Sequence, residues 1–201
     1  LAWLGESSLA AASLDHSVTL WNTRTGARQR RLEGHSRGVA SLCFLPKEKI
    51  LVSTGVDRSL RVWKPGAGRL IHSLNIHTRR VHNLALRPGG AGLPMVASVS
   101  DDRSVRLWQP TIGRMVRFAR LKSRPLDADW LPDGSRVVVS CSDGRVRVVD
   151  PLTVQVTHDI AALEGWAYSL AVHPTDGSLL VGGQDGQLRR RVLPRSADDG
   201  R

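Results

Sequence analysis

The chain has 201 residues, 41% of them hydrophobic, which is enough for a sizeable core. Its two cysteines, Cys43 and Cys141, fall in predicted strands of different units, so a disulfide framework is not indicated and a reducing, cytoplasmic setting is favoured. No run of 18 or more apolar residues occurs, which excludes a transmembrane helix within this stretch, so we expect no membrane partner. The net charge of +11 leaves nucleic acid open as a partner.

A seven-residue segment recurs along the chain and divides it into units. Each copy opens with Asp and a polar or small residue, which favour a tight turn, and continues as an alternating strand that ends in Trp in the first three copies. The copies begin at Asp15, Asp57, Asp102, Asp143 and Asp185. They are 41 to 45 residues apart, and a period of about 40–45 residues with four short strands is typical of a β-propeller blade. We therefore predict an all-β propeller of about five blades, with almost no helix.

Each unit also contains further short strands around the repeated segment. In the most regular unit the predicted strands are 39–44, 50–54, 60–63 and 70–74. The predicted blades are residues 1–33, 35–74, 77–121, 122–160 and 163–193, followed by a polar tail over 194–201 that we expect to be disordered. Seven such blades need about 290 residues, and Leu1 aligns with the middle of an inner strand. We therefore expect these blades to be part of a larger, seven-bladed propeller, with a closed five-bladed ring as the alternative.

Two histidines stand at a similar distance before the repeated Asp residues. His35, in a Gly-His pair, lies 22 residues before Asp57, and His77 lies 25 residues before Asp102. With these histidines, the Asp turns and the terminal tryptophans, residues 1–193 resemble the WD-repeat β-propeller family. The sequence departs from that family because no Trp is followed by Asp; Asn22, Lys64 and Gln109 occupy that place.

The resemblance implies a structural hydrogen-bonded tetrad in two of the blades. In the family, such a tetrad joins a His, a Ser or Thr, the turn Asp and the Trp. The matching residues are His35, Ser53, Asp57 and Trp63 in the second blade, and His77, Ser98, Asp102 and Trp108 in the third. A buried Asp requires donors, and a hydroxyl and an imidazole N–H can supply them. The fourth and fifth blades lack these residue types, so we expect them to be looser.

The resemblance also implies a face on which partners dock, where the inner strands begin and the Asp turns lie. We call the candidate residues the partner face: Arg80, His82, Asp101, Arg124, Leu126, Ser142, Trp166, Tyr168 and Gln184. The second-blade counterparts are Gly38, Ala40 and Val56. Trp166 and Tyr168 have the aromatic character that dominates binding energetics. The alternative is that they pack between blades together with Leu170, with which they share one strand parity.

The positive charge is carried almost entirely by arginine and has two interpretations. Arg61, Arg106, Arg147 and Arg189 occupy the same repeat position, where we expect the aliphatic stem on apolar neighbours and the head in water. This structural interpretation is favoured. The alternative is a nucleic-acid-binding module that uses the arginine-rich surface.

No catalytic or metal-binding pattern is present in the sequence. The histidines show no i, i+4 pair and no Cys partner at ligand spacing, and Asp127, Asp129 and Asp133 match a calcium loop only faintly because Leu131 takes a ligand position. We expect no enzyme activity, no cofactor and no small-molecule substrate. The predicted function is a non-catalytic scaffold that binds a protein or peptide, within a larger signalling or assembly protein. A regulatory propeller domain fused to an enzyme is a further alternative.

Overall fold

The computed structural model describes residues 1–89 and 92–194, and β-strands account for almost all of the regular structure. The strands are β1 Ala2–Gly5, β2 Ser8–Ala12, β3 Val18–Asn22, β4 Arg28–Leu32, β5 Val39–Leu45, β6 Ile50–Gly55, β7 Leu60–Lys64, β8 Arg69–Leu74, β9 Val81–Leu86, β10 Val96–Ser100, β11 Ser104–Gln109, β12 Arg114–Arg120, β13 Pro125–Trp130, β14 Val137–Cys141, β15 Arg145–Val149, β16 Val156–Ala161, β17 Ala167–Val172, β18 Leu179–Gly183 and β19 Leu188–Arg191. One 3₁₀ turn, Pro65–Ala67, links β7 to β8.

The strands form five antiparallel sheets, each a simple meander. Sheets β1–β4, β5–β8, β9–β12 and β13–β16 have four strands, and β17–β19 has three. This arrangement confirms the predicted all-β propeller with five consecutive blades. The predicted tail at 194–201 lies outside the described residues except for Pro194. No described helix is long or apolar enough to cross a membrane.

The second residue of each Asp turn has a left-handed backbone conformation. It has a positive φ in all five copies: 74° at His16, 66° at Arg58, 62° at Arg103, 72° at Gly144 and 70° at Gly186. Glycine adopts this left-handed conformation freely, whereas other residues pay a steric cost. In the second and third blades the turn is stabilised by the Asp side chain, which accepts the backbone N–H two residues on.

The core consists of four apolar clusters, each between two neighbouring blades. One joins the first and second blades, one the second and third, one the third and fourth, and one the fourth and fifth. Strands β6, β10 and β14 are buried over their whole length because they are covered on both faces. Strands at the outer edge, such as β4, are largely exposed. Among the described residues, no such cluster joins the first and fifth blades.

A row of polar side chains also links the inner strands of four blades. The Ser41 hydroxyl donates to Asn83 Oδ1 at 2.7 Å, and the Asn83 amide donates to Asp127. The second carboxylate oxygen of Asp127 accepts the backbone N–H of Leu170 at 2.9 Å and the Ser169 hydroxyl at 3.4 Å. Burial raises the pKa of Asp127 although these donors oppose it. The row fixes the position of each inner strand relative to the next.

Candidate partner-binding face

The second blade contains a chain of four hydrogen-bonded side chains that runs from its core to its Asp turn. Trp63 Nε1–H donates to Ser53 Oγ at 2.8 Å, Ser53 lies 2.7 Å from His35 Nε2, and His35 Nδ1 lies 2.8 Å from Asp57 Oδ2. The Ser59 hydroxyl donates to the other carboxylate oxygen at 2.9 Å. The structure therefore places the four residues that the resemblance singles out in contact.

The third blade repeats the arrangement with nearly the same distances. Trp108 Nε1–H donates to Ser98 Oγ at 2.8 Å, Ser98 lies 2.7 Å from His77 Nε2, and His77 Nδ1 lies 2.8 Å from Asp102 Oδ2. A neutral imidazole protonated at Nδ1 satisfies every member, because it donates to the carboxylate and accepts from the serine hydroxyl. The two tetrads hold the start of the inner strand against the Asp turn.

The electrostatics of the tetrads favour this protonation pattern. Burial alone would raise the pKa of Asp57 and Asp102, but hydrogen bonds from the tetrad histidines and from Ser59 and Ser104 outweigh burial and hold each pKa well below its usual range. Burial lowers the pKa of His77 although the neighbouring carboxylate opposes it. At neutral pH the His77 ring is therefore uncharged and the aspartates are ionised.

The fourth blade holds its turn Asp with an arginine instead of a tetrad. Arg147 is 3% exposed, and its guanidinium donates to the two oxygens of Asp143 at 3.1 and 2.6 Å and to Ser123 Oγ at 2.7 Å. Burial alone would lower the pKa of Arg147, but the hydrogen bonds to Asp143 outweigh it and raise the pKa. A bidentate pair is the strong form of this interaction.

Pairing between Arg and the turn Asp also occurs in three other blades, and it corrects the expectation that the guanidinium groups of the repeated arginines extend into water. Arg61, Arg106 and Arg189 each lie beside the Asp four residues earlier, at 4.0, 3.6 and 2.8 Å. Arg106 is only 9% exposed. The turn brings each Asp over the strand that follows it, so the head of the arginine finds a carboxylate close by. These arginines are structural in the described blades, and they do not form a free basic surface.

A backbone hydrogen bond recurs at the edge of each blade that carries the partner face. The N–H of the residue after β6, β10, β14 or β18 donates to the carbonyl of a residue just before the inner strand. The pairs are Val56 to Gly38 at 2.9 Å, Asp101 to Arg80 at 3.0 Å, Ser142 to Arg124 at 2.8 Å and Gln184 to Trp166 at 2.9 Å. The predicted residues therefore sit side by side in pairs on fixed backbone.

Each inner strand in these four blades also contains a β-bulge at a predicted partner-face position. Strand pairing passes directly from Val81 to Asn83 and leaves His82 without a partner. The equivalent unpaired residues are Ala40, Leu126 and Tyr168. A bulge re-aims a side chain and increases the local twist. The position five residues after the His is thus a bulge in every described blade that contains it.

The bulge in β17 corrects the assumed parity of Trp166, Tyr168 and Leu170. Because Tyr168 is the extra residue, the side chains of Ala167 and Leu170 face the core, where both are buried. Trp166 and Tyr168 remain 37% and 53% exposed. Leu170 therefore packs between the blades, whereas the side chains of Trp166 and Tyr168 lie at the surface.

Five residues of the partner face contact one another across three blades: His82, Asp101, Arg124, Trp166 and Tyr168. His82 Nε2 lies 2.9 Å from Asp101 Oδ1, and the Arg124 guanidinium lies 4.0 Å from the same oxygen. Arg124 stacks over the Trp166 ring at 4.8 Å, and the Trp166 and Tyr168 rings are 5.9 Å apart and tilted by 57°. Cation–π and edge-to-face contacts of this kind fix the orientation of exposed rings. The result is a continuous ridge from the third blade to the fifth.

The remaining partner-face residues support the ridge from below. Ser142 Oγ accepts the Arg124 N–H at 3.3 Å, and Gln184 Oε1 accepts the Trp166 N–H at 3.2 Å. Leu126 is half-buried and Arg80 is exposed. Sequence reasoning missed the polar row: it did not single out Asn83, and it considered Asp127 only as part of a faint calcium-loop match. The only signal for the row is the spacing of 44 residues between Asn83 and Asp127 at the same strand position.

The residues that faintly match a calcium loop have a different role in the structure. Asp127 and Asp129 accept backbone N–H groups of the fifth blade at 2.9 and 3.1 Å, which links neighbouring inner strands. Within residues 1–89 and 92–194, no group of three or more His, Cys, Asp or Glu side chains is arranged to hold a metal ion. Cys43 and Cys141 are buried free thiols, and burial raises the pKa of each.

Comparison with known proteins places these features in a family. The WD domain, G-beta repeat family matches residues 26–64, 68–109 and 122–150. THO complex subunit 3 of Arabidopsis thaliana is 30% identical over 191 residues, which are 92% of this chain and 59% of that protein. WD repeat-containing protein 37 of Xenopus tropicalis is 30% identical over 184 residues, which are 90% of this chain and 36% of that protein.

A solved structure shows the same fold at low sequence identity. The β-propeller domain of Myceliophteria thermophila Cps50 (Swd1) superposes with a TM-score of 0.83 at 20% identity, covering 96% of this chain and 64% of that one. The chain therefore spans between 36% and 64% of the length of these three proteins. The repeated blades, the family match and the shared fold agree, and the chain belongs to the WD-repeat β-propeller family.

Proposed function

We propose that this chain is a non-catalytic scaffold that binds a protein or peptide on the partner face. The observation that carries the proposal is the exposed Arg124–Trp166–Tyr168 stack, which crosses from the fourth blade to the fifth. Tyr, Trp and Arg are the residue types that supply most of the binding energy at protein interfaces. Here Arg124, Trp166 and Tyr168 lie together at the surface, although each side chain has enough apolar area to be packed in a core.

The backbone beneath the stack supports a binding role because it is rigid. The paired backbone hydrogen bond between Gln184 and Trp166 and the bulge at Tyr168 fix both aromatic side chains at the edge of the fifth blade. A surface whose side chains are already ordered loses less conformational entropy on binding. The same face therefore suits stable recognition of one partner.

The family and its relatives support a role in assembly. The WD-repeat propeller is generally a scaffold fold, and one relative is by name a subunit of a complex. We infer that this chain likewise serves within a larger signalling or assembly protein, without a cofactor, in the cytoplasm. Its five blades would then form part of a larger propeller.

Nucleic-acid binding is the second candidate, and one observation favours it. Exposed arginines of the outer strands form no ion pair with any described residue: Arg28, Arg30, Arg69, Arg117 and Arg120. Phosphate contacts by such residues would make binding fall steeply with salt. These arginines lie on the outer strands, and the ordered aromatic ridge lies on the partner face.

Affinity purification with quantitative mass spectrometry tests the proposal. Wild type, Trp166→Ala and Phe118→Ala are compared, because Phe118 is also exposed, at 46%, but lies on the outer strand β12. We expect a set of proteins that is retained by wild type and Phe118→Ala, lost by Trp166→Ala, and unaffected by nuclease. Loss of the same proteins from both variants, or after nuclease treatment, would contradict a protein-binding partner face.

A further inference from the structure

A cleft of about 490 Å³ lies between the second and third blades, at the edge that carries the Asp turns. Four arginines line it: Arg37, Arg58, Arg79 and Arg80. The two acidic residues at its wall are Asp57 and Asp101. It adjoins the partner face because Arg80 and Asp101 belong to both.

The charges of the cleft are unbalanced because its two carboxylates are engaged by other residues. Asp57 is bound by His35 and Ser59 within the tetrad, and Asp101 is bound by His82 at 2.9 Å and approached by Arg124 at 4.0 Å. None of the four cleft arginines forms an ion pair or a side-chain hydrogen bond with another residue in the described part of the chain. Their guanidinium groups therefore keep all their donors for a ligand.

The backbone positions of these arginines are fixed by the turns that carry them. The carbonyl of Arg80 accepts the N–H of Asp101 at 3.0 Å, and the carbonyl of Arg79 accepts the Ser100 hydroxyl at 3.2 Å. Arg58 occupies the left-handed position of the Asp turn, and its N–H donates to the carbonyl of Gly55 at 3.2 Å. The four arginines are exposed and line the same cleft, and the backbone that carries Arg58, Arg79 and Arg80 is hydrogen-bonded.

We propose that this cleft binds the phosphoryl group of a phosphorylated peptide, and the inference rests on the proposed function of the partner face. A phosphorylated side chain carries a charge of about −1.5 to −2 and three strong acceptor oxygens, which matches two blades that each present two unpaired arginines. The planar guanidinium fork binds phosphate in a bidentate manner. A peptide is favoured over nucleic acid because the cleft is confined to the edge of two blades. The cleft is also continuous with the aromatic ridge, so one extended peptide can reach both.

Fluorescence polarisation with the full chain tests this inference. The probes are two labelled pools of degenerate nine-residue peptides, identical except that the central residue is phosphoserine in one and serine in the other. We expect the phosphoserine pool to bind at least tenfold more tightly. The double variant Arg37→Ala, Arg79→Ala should lose this preference, whereas the control Arg117→Ala, which removes an exposed arginine outside the cleft, should keep it.

The variants separate failure of the cleft from failure of the partner face. Trp166→Ala should weaken binding of both pools and leave the preference for phosphoserine intact. Equal binding of the two pools, a preference that survives in the double variant, or no binding of either pool would overturn the inference; equal binding that Trp166→Ala abolishes would still support the partner face. A pool with central glutamate that binds as tightly as phosphoserine, or tighter binding of a single-stranded oligonucleotide at the cleft, would also overturn it. Circular dichroism melts confirm that the variants remain folded.

Discussion

The tryptophan at the end of the repeated segment is predicted to stabilise the third blade far more than the first. Trp108 is fully buried between the second and third blades, and its indole N–H donates to Ser98 at 2.8 Å. Trp21 occupies the same repeat position in the first blade but is 37% exposed, and it belongs to no tetrad. Comparing the stability of the two Trp→Ala variants therefore separates the contribution of burial and the tetrad from that of the repeat position alone.

The expected cost of Trp108→Ala follows from these contacts. Loss of a buried aromatic side chain from a core costs about 3–5 kcal/mol. We expect a cost in the upper half of that range because the variant also loses the hydrogen bond from the indole N–H to Ser98. Trp21→Ala should cost about 1 kcal/mol, the central value for point substitutions, because its side chain is already 37% exposed. Urea denaturation followed by far-UV circular dichroism measures both. If the two free energies of unfolding differ by less than about 1 kcal/mol, the tetrad is not a stabilising unit.

Three further predictions concern the titratable and strained residues. Stability should fall as pH drops below about 6.5 and fall further below about 4, because the folded-state pKa values of His77 and of seven aspartates, both tetrad aspartates among them, lie below their usual values. Asp127, with a raised pKa, opposes this as a single group. Denaturation midpoints between pH 3 and pH 8 check this, and constant stability would refute it. Arg103→Gly should stabilise the chain by about 0.5–1 kcal/mol, because it relieves the left-handed φ of 62°; a lower melting temperature would contradict it. Asp127→Ala should cost about 2–4 kcal/mol, because the Asn83 amide and the Leu170 N–H lose their acceptor; a change below about 1 kcal/mol would mean that the polar row adds little.

The fold could be predicted from the sequence because its strongest signals are local. The Asp turn, the alternating strand and the terminal Trp recur at a nearly constant period, and each depends only on residues close in sequence. The tetrad contacts between His35 and Asp57 could be proposed from the same repeat. The family resemblance supplied the roles of these residues, and the structure places their atoms at hydrogen-bond distance.

The details of the partner face depend on tertiary structure and could not be predicted in the same way. A β-bulge is a one-residue offset in strand pairing, so simple alternation misassigned Leu170 relative to Tyr168. The burial of Arg147 depends on where the turn places Asp143, and the polar row joins blades that are more than 40 residues apart in sequence. In each case the deciding contact lies in a different strand or blade.

The contact between a partner and Tyr168 is the central claim, and site-specific photo-crosslinking measures it directly. A photoreactive phenylalanine analogue replaces Tyr168 in one protein and Phe118 in another, since both side chains are exposed, at 53% and 46%. We predict protein cross-links from position 168 that are absent from position 118 and that disappear when Trp166→Ala is added. Cross-links of equal yield from both positions, or cross-links from position 168 to nucleic acid, would contradict the claim.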